Sequence, residues 1–246
     1  MTETDLVQHY RYLRGIAEEI QNGALDLVQQ STMLEFGRRL GVVRMGELCL
    51  DDEENKLACD LAIHTARPGR SRAIDRYARS ATFRSDSDEA RVLAALQEAR
   101  FTTFQFETRH AVAGAIAYDV LLKQDFHLMD VSIGLSAKPK DAFVGRLVEL
   151  DGFRMSCISV VPMTRVLIEA ALPRLPSDLT KGTVISAFQD PRCAIAFYRT
   201  AIELGYMQRT VSFDVVKELP TAESVAAITE ISGRLLADLP GLTLAY

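Results

Sequence analysis

From Phe101 to Pro162 the chain alternates apolar and polar positions, broken by short turns. A period of two is the pattern of a strand with one buried face. It predicts five strands, at about 101–107, 112–121, 125–131, 142–150 and 153–161. Asp151-Gly152, between two alternating runs, is the clearest hairpin signal, because a type I′ turn needs φ > 0 at both central residues. Lys123-Gln124-Asp125 marks a second tight turn, and Lys138-Pro139-Lys140-Asp141 closes a longer loop. Five short antiparallel strands joined this tightly predict a small β-barrel, SH3-like or OB-like. The connection between the third and fourth strands reads as too short for the helix an OB-fold often carries there, which favours the SH3-like form.

The flanking regions repeat at helical spacing. Leu6, Tyr10, Leu13, Ala17, Ile20, Ala24, Leu27, Ser31 and Leu34 form a heptad seam and predict helix from residue 4 to about 40. Two arrangements satisfy this seam: a long helix packed on its own domain, or an intermolecular coiled coil through 6–34 that makes a homodimer. Asn22-Gly23 is the expected weak point, since glycine costs about 1 kcal/mol in a helix interior. Arg44 to Leu50 predicts a short strand or extended link. Asp51 reads as an N-cap with Glu54 completing a capping box, so the acidic run Asp51–Glu54 is a helix start rather than a metal site. That helix runs through Leu57, Leu61 and His64, and others follow from Ser71 to Ser80 and from Ser87. Beyond Pro162, helices are expected at about 164–172, 178–188, 190–205 and 221–238, with a short strand at 210–216. The expected architecture is α+β: a helical region 1–100, a five-stranded antiparallel barrel 101–163, and a helical region 164–246.

Composition adds limits. Of 246 residues, 48% are apolar and 25% charged, enough to bury a real core. The net charge of −5 supplies no global attraction to nucleic acid or anionic membrane, so such a contact requires a local patch. Cys49, Cys59, Cys157 and Cys193 form no C-x-x-C pair and no disulfide framework, and are expected as free thiols. No apolar leader or membrane-length run is present, so a cytoplasmic location is expected.

The strongest charged feature is Arg67, Arg70, Arg72, Arg76, Arg79 and Arg84. Arg72, Arg76 and Arg79 fall on one helix face, and Pro68-Gly69-Arg70-Ser71 precedes that helix. Arg70, Arg72, Arg76 and Arg79 are therefore the candidate anion- or partner-binding residues, with Asp75, Asp86 and Asp88 near enough to neutralise the group instead. His127 lies in a predicted strand with Asp130, and Asp119 in the adjacent one. His127 and Asp130 differ by an odd number, so a regular strand points them to opposite faces. No nucleophile motif and no phosphate-binding loop occur. No catalytic residue, metal site or cofactor is assigned. Phe101, Phe104, Phe106, Phe126, Phe143 and Phe153 are expected as barrel core rather than as an exposed platform for bases.

Ile74-Asp75-Arg76-Tyr77, Glu98-Ala99-Arg100-Phe101 with Phe104, Asp119-Val120-Leu121, Asp130, Leu135-Ser136, Arg146-Leu147 and Asp151-Gly152-Phe153 give the stretch 69–163 its likeness. It resembles a family of uncharacterised bacterial proteins, which lends no activity. The expected function is a non-enzymatic protein-binding or adaptor module. The alternatives are a nucleic-acid-associated protein using the Arg67–Arg84 cluster, and a hydrolase with a site near His127 and Asp119.

Overall fold

The N-terminal seam folds from Leu6 to Ala24 into α1 (Glu3–Asp26), and over that length its apolar residues are buried within the chain. The computed structural model describes residues 3–48, 52–66, 69–176 and 183–207. Leu6, Tyr10, Leu13, Ala17, Ile20 and Ala24 are buried in one cluster with Ile74, Val92, Leu96 and Phe153. α1 passes Asn22-Gly23 unbroken, because Gly23 lies against the Tyr77 ring, where a Cβ would collide. The single helix expected to residue 40 is instead two. After α1 the chain turns at Leu27 to Gln29, and α2 (Gln30–Leu40) sends Phe36 and Leu40 into a second cluster. The break is where the chain passes from one core to the other, and Leu25 and Val28 touch both. Two two-residue strands follow, β1 (Val43–Arg44) and β2 (Glu47–Leu48), then α3 (Asp52–His64), α4 (Ala73–Ser80) and α5 (Asp88–Gln97). The Ser87 side chain accepts from the Ala90 N–H and caps α5 as expected.

All five expected strands form: β3 (Arg100–Arg109), β4 (Ala115–Asp119), β5 (Gln124–Leu128), β6 (Ala142–Leu150) and β7 (Phe153–Pro162). Asp151 and Gly152 both take positive φ, 49° and 82°, so the expected hairpin joins β6 to β7. The strands pair in the order β3-β4-β5-β7-β6, and β6 returns to β3, so the hydrogen-bonded ladder runs all the way round. The sheet is mixed rather than antiparallel, because β5 meets β7 in parallel through Leu128↔Arg154. A second correction concerns the link from β5 to β6. It carries a helix, α6 (Val131–Ser136), capped by Asp130, whose carboxylate accepts from the Ile133 N–H.

Phe104, Phe106, Phe143, Ala117 and Leu128 fill the inside of this sheet, with Phe126 packed against them. Phe101 and Phe153 do not. Phe101 faces outward and packs on Phe188, Phe197 and Tyr198, and Phe153 packs on His9 and Tyr10. The outer faces of β3, β6 and β7 are covered by helices from both ends of the chain. After β7 these are α7 (Arg165–Ala171), a 3-10 turn (Leu172–Arg174), α8 (Val184–Gln189) and α9 (Pro191–Glu203). The Asp51 cap, Cys49, Arg67, positions 178–182, the strand at 210–216 and the helix at 221–238 lie outside the described residues. Among the described residues, no helix is long and apolar enough to cross a membrane.

Candidate functional site

The arginine cluster divides into paired and unpaired members. Arg72 turns back on Asp75 at 2.8 Å, and that hydrogen bond, with a second from Gln97, holds the Asp75 carboxyl below its ordinary range. Arg84 pairs with Asp86 at 2.8 Å. Arg76 donates instead to neutral oxygens, the backbone carbonyls of Ser71 at 2.7 Å and Leu27 at 3.0 Å. Arg79 donates to the Ser71 hydroxyl at 2.8 Å. Arg70 is exposed. Arg72, Arg76 and Arg79 therefore do not present one common cationic face, because the first is neutralised by its own helix. Arg70 and Arg76 line a cavity of about 310 Å³ whose other walls include Leu27, Thr32, Phe36 and Thr65.

The residues of the hydrolase alternative are not gathered. Asp119 pairs across the ladder with Gln124, whereas His127 pairs with Ile116. Three residues along a strand separate them by about 10 Å. The acceptor capacity of Asp119 is taken by Arg154 at 2.9 Å, Thr102 at 3.2 Å and the N–H groups of Leu121 and Leu122. Asp130 accepts from Ser156 at 2.9 Å in addition to capping α6. His127 stacks on His110, with centroids 3.9 Å apart, and bonds the Ala113 carbonyl at 2.7 Å. Burial lowers the His127 pKa, and His110 adds to the effect against the contrary pull of the carbonyl. A second cavity, of about 400 Å³, opens at the end of the sheet, where Arg154 lies over the Phe126 ring at 4.6 Å. Arg100, Gln124 and Gln189 also border it.

A buried polar network joins α3, β6 and α9. Arg146 Nε donates to Asp60 Oδ1 at 3.1 Å, and the Tyr198 hydroxyl donates to Asp60 Oδ2 at 3.1 Å. Burial, reinforced by Asp60, raises the Tyr198 pKa well above its ordinary value. Cys157, buried beside them, is pushed up to about 12, mainly by burial, so it is a protonated thiol and not a nucleophile. The β6–β7 ladder shifts register between Gly145 and Leu147. A bulge there re-aims a side chain and frees backbone groups, and α1 takes up two of them. Arg14 donates to the Ser156 carbonyl and Gln21 to that of Cys157. Cys59 and Cys193 are also free thiols. Among the described residues, no three His, Cys, Asp or Glu side chains gather to hold a metal.

Sequence reasoning missed the Arg146–Asp60–Tyr198 network and the His110–His127 stack. Their members are far apart in the chain and carry no spacing that marks them. The one available signal was a lone arginine in an otherwise apolar strand, Phe143 to Val148.

These elements define a mixed helix-and-strand protein whose helices clothe a closed five-stranded sheet, with one cavity among the N-terminal helices and another beside the sheet. The chain belongs to a family of unknown function, DUF7986, which it matches over residues 4–164. That span takes in α1 as well as the stretch whose likeness was evident in the sequence. No curated protein and no solved structure matches it.

Proposed function

We propose that this protein is a non-enzymatic binding module built on an OB-like barrel, and that its ligand is another protein. What carries the reading is the strand order. Numbered within the sheet, it runs 1-2-3-5-4 and closes back on 1, with a parallel 3–5 contact and a helix between strands 3 and 4. OB-folds bind on the face of strands 2 and 3, which are β4 and β5 here. Helices pack on the outside of β3, β6 and β7, and β4 and β5 keep half-buried Ile116, Tyr118 and His127 and exposed Asp125 on their outer side. This face joins apolar and ring surface to charges of both signs, including the nearby Lys140–Glu107 pair at 2.7 Å. A protein surface suits that mixture better than a polyanion does. The proposal places the partner there rather than on the 6–34 seam, whose residues up to Ala24 are already covered inside the chain.

A photo-crosslinking amino acid at Tyr118 or Asp125 tests this in cells of the source organism, with exposed Glu19 on α1 as control. A discrete protein adduct at 118 and 125, absent at 19, is expected. The same adduct at all three positions, or none at 118, would overturn the reading. A second reading, nucleic-acid association through the arginine cluster, draws on the absence of carboxylate partners for Arg70, Arg76 and Arg79 among the described residues. A salt-sensitive gel shift with mixed oligonucleotides that Arg79→Glu weakens would favour it.

A further inference from the structure

We infer that the cavity between the α1–α2 turn, the C-terminal end of α3 and the start of α4 binds a small molecule with an oxyanion head. This does not rest on the β4–β5 face. Arg76 and Arg79 converge on Ser71 and bond only its neutral oxygens and the Leu27 carbonyl. Arg70 adjoins Ser71 in the chain and lines the same cavity as Arg76. Among the described residues none of the three has a carboxylate in ion-pair range, although the chain carries 33 acidic side chains against 28 basic ones. The neighbouring arginines do have such partners, Arg72 in Asp75 and Arg84 in Asp86. Three uncompensated guanidiniums around one residue of an acidic protein make a local positive potential.

The shape completes the argument. Arg76 is already fixed by its two carbonyls, so its remaining N–H groups are preorganised at the cavity wall, and a guanidinium fork matches two oxygens of a phosphate or carboxylate. Thr32 and Thr65 line the cavity with Ser71, while Leu27 and Phe36 supply apolar wall. About 310 Å³ lies at the small end of the range for small-molecule pockets and excludes a nucleic-acid duplex. The ligand is thus a compact molecule with an anionic head and a short apolar body.

Calorimetric titration of the full chain with sodium pyrophosphate, and separately with sodium hexanoate, tests this. Arg70→Glu is the working variant, since Arg70 is exposed and makes no hydrogen bond or ion pair among the described residues. Arg84→Glu makes the same charge change outside the cavity. Saturable binding of at least one probe is expected, weakened about tenfold or more by Arg70→Glu and unchanged by Arg84→Glu. Pyrophosphate binding assigns a phosphorylated ligand, and hexanoate binding alone assigns a carboxylate. Binding of neither probe, or equal loss in both variants, overturns the inference. So does Arg70-dependent binding of an oligonucleotide with no response to either small anion.

Discussion

His64 ends α3 with both ring nitrogens buried and without a hydrogen-bond partner among the described residues. Burial first, then Arg146 and Arg72, hold its pKa well below the ordinary 6.5. The unfolded chain protonates this ring near 6.5, so below that pH the unfolded state binds the extra proton. Stability from this residue is complete above about pH 6.5 and is lost as pH falls, by up to about 1.4 kcal/mol per pH unit. His127, shifted the same way by burial, adds to the trend. In urea titrations at pH 7, 6 and 5, His64→Leu should flatten the dependence on pH; an unchanged slope would refute this account. Asp60 carries a second test. Asp60→Ala strands a buried guanidinium and should cost about 3–5 kcal/mol, and adding Arg146→Met should recover most of it. If the double variant is no more stable than the single one, the pair is not what the site depends on. A histidine and an arginine are visible in any sequence. Their chemistry was not, because Arg146 reaches Asp60 and His64 only once the sheet packs against α3.

Among the elements, strands were the most legible, since a period of two survives in runs as short as Ala115–Asp119. The direction of the closing contact was not legible, because the parallel pairing of β5 with β7 involves a single residue pair. α6 escaped notice for another reason: six residues span fewer than two helical turns, too few to show a period. Asp130, read as part of a strand, is its cap. The glycines show how element context sets the sign of one substitution. Gly15 is exposed in the interior of α1 and Gly152 sits in the β6–β7 turn at φ 82°, and neither has an atom within 4 Å of where a Cβ would stand. Gly15→Ala should therefore stabilise by about 0.5–1 kcal/mol. Gly152→Ala should destabilise by about 1–2 kcal/mol. Thermal melts of the two variants should move in opposite directions; a shift of the same sign in both would refute the assigned turn or the assigned helix.

For the molecule as a whole, the family boundary and the core boundary differ. The match ends at residue 164, yet Leu167, Ile168, Phe188, Phe197 and Tyr198 share a buried cluster with Phe101, Val144 and Val161 of the sheet. A chain ending at residue 164 would expose that outer face, and it should be insoluble or bind a hydrophobic dye strongly. A soluble, cooperatively melting 1–164 fragment would show that these helices are dispensable. The sheet they clothe is a band fastened at one point. Arg154 forms the single β5–β7 residue pair, holds Asp119 at 2.9 Å and covers Phe126. Arg154→Met should speed hydrogen exchange at Met129, whose amide bonds the Arg154 carbonyl, and leave the β3–β6 ladder protected. Equal protection at Met129 would place the clasp elsewhere. Were the backbone contact of Leu128 and Met129 with Arg154 to part, a closed surface would become two free strand edges, each able to take on a strand from another chain.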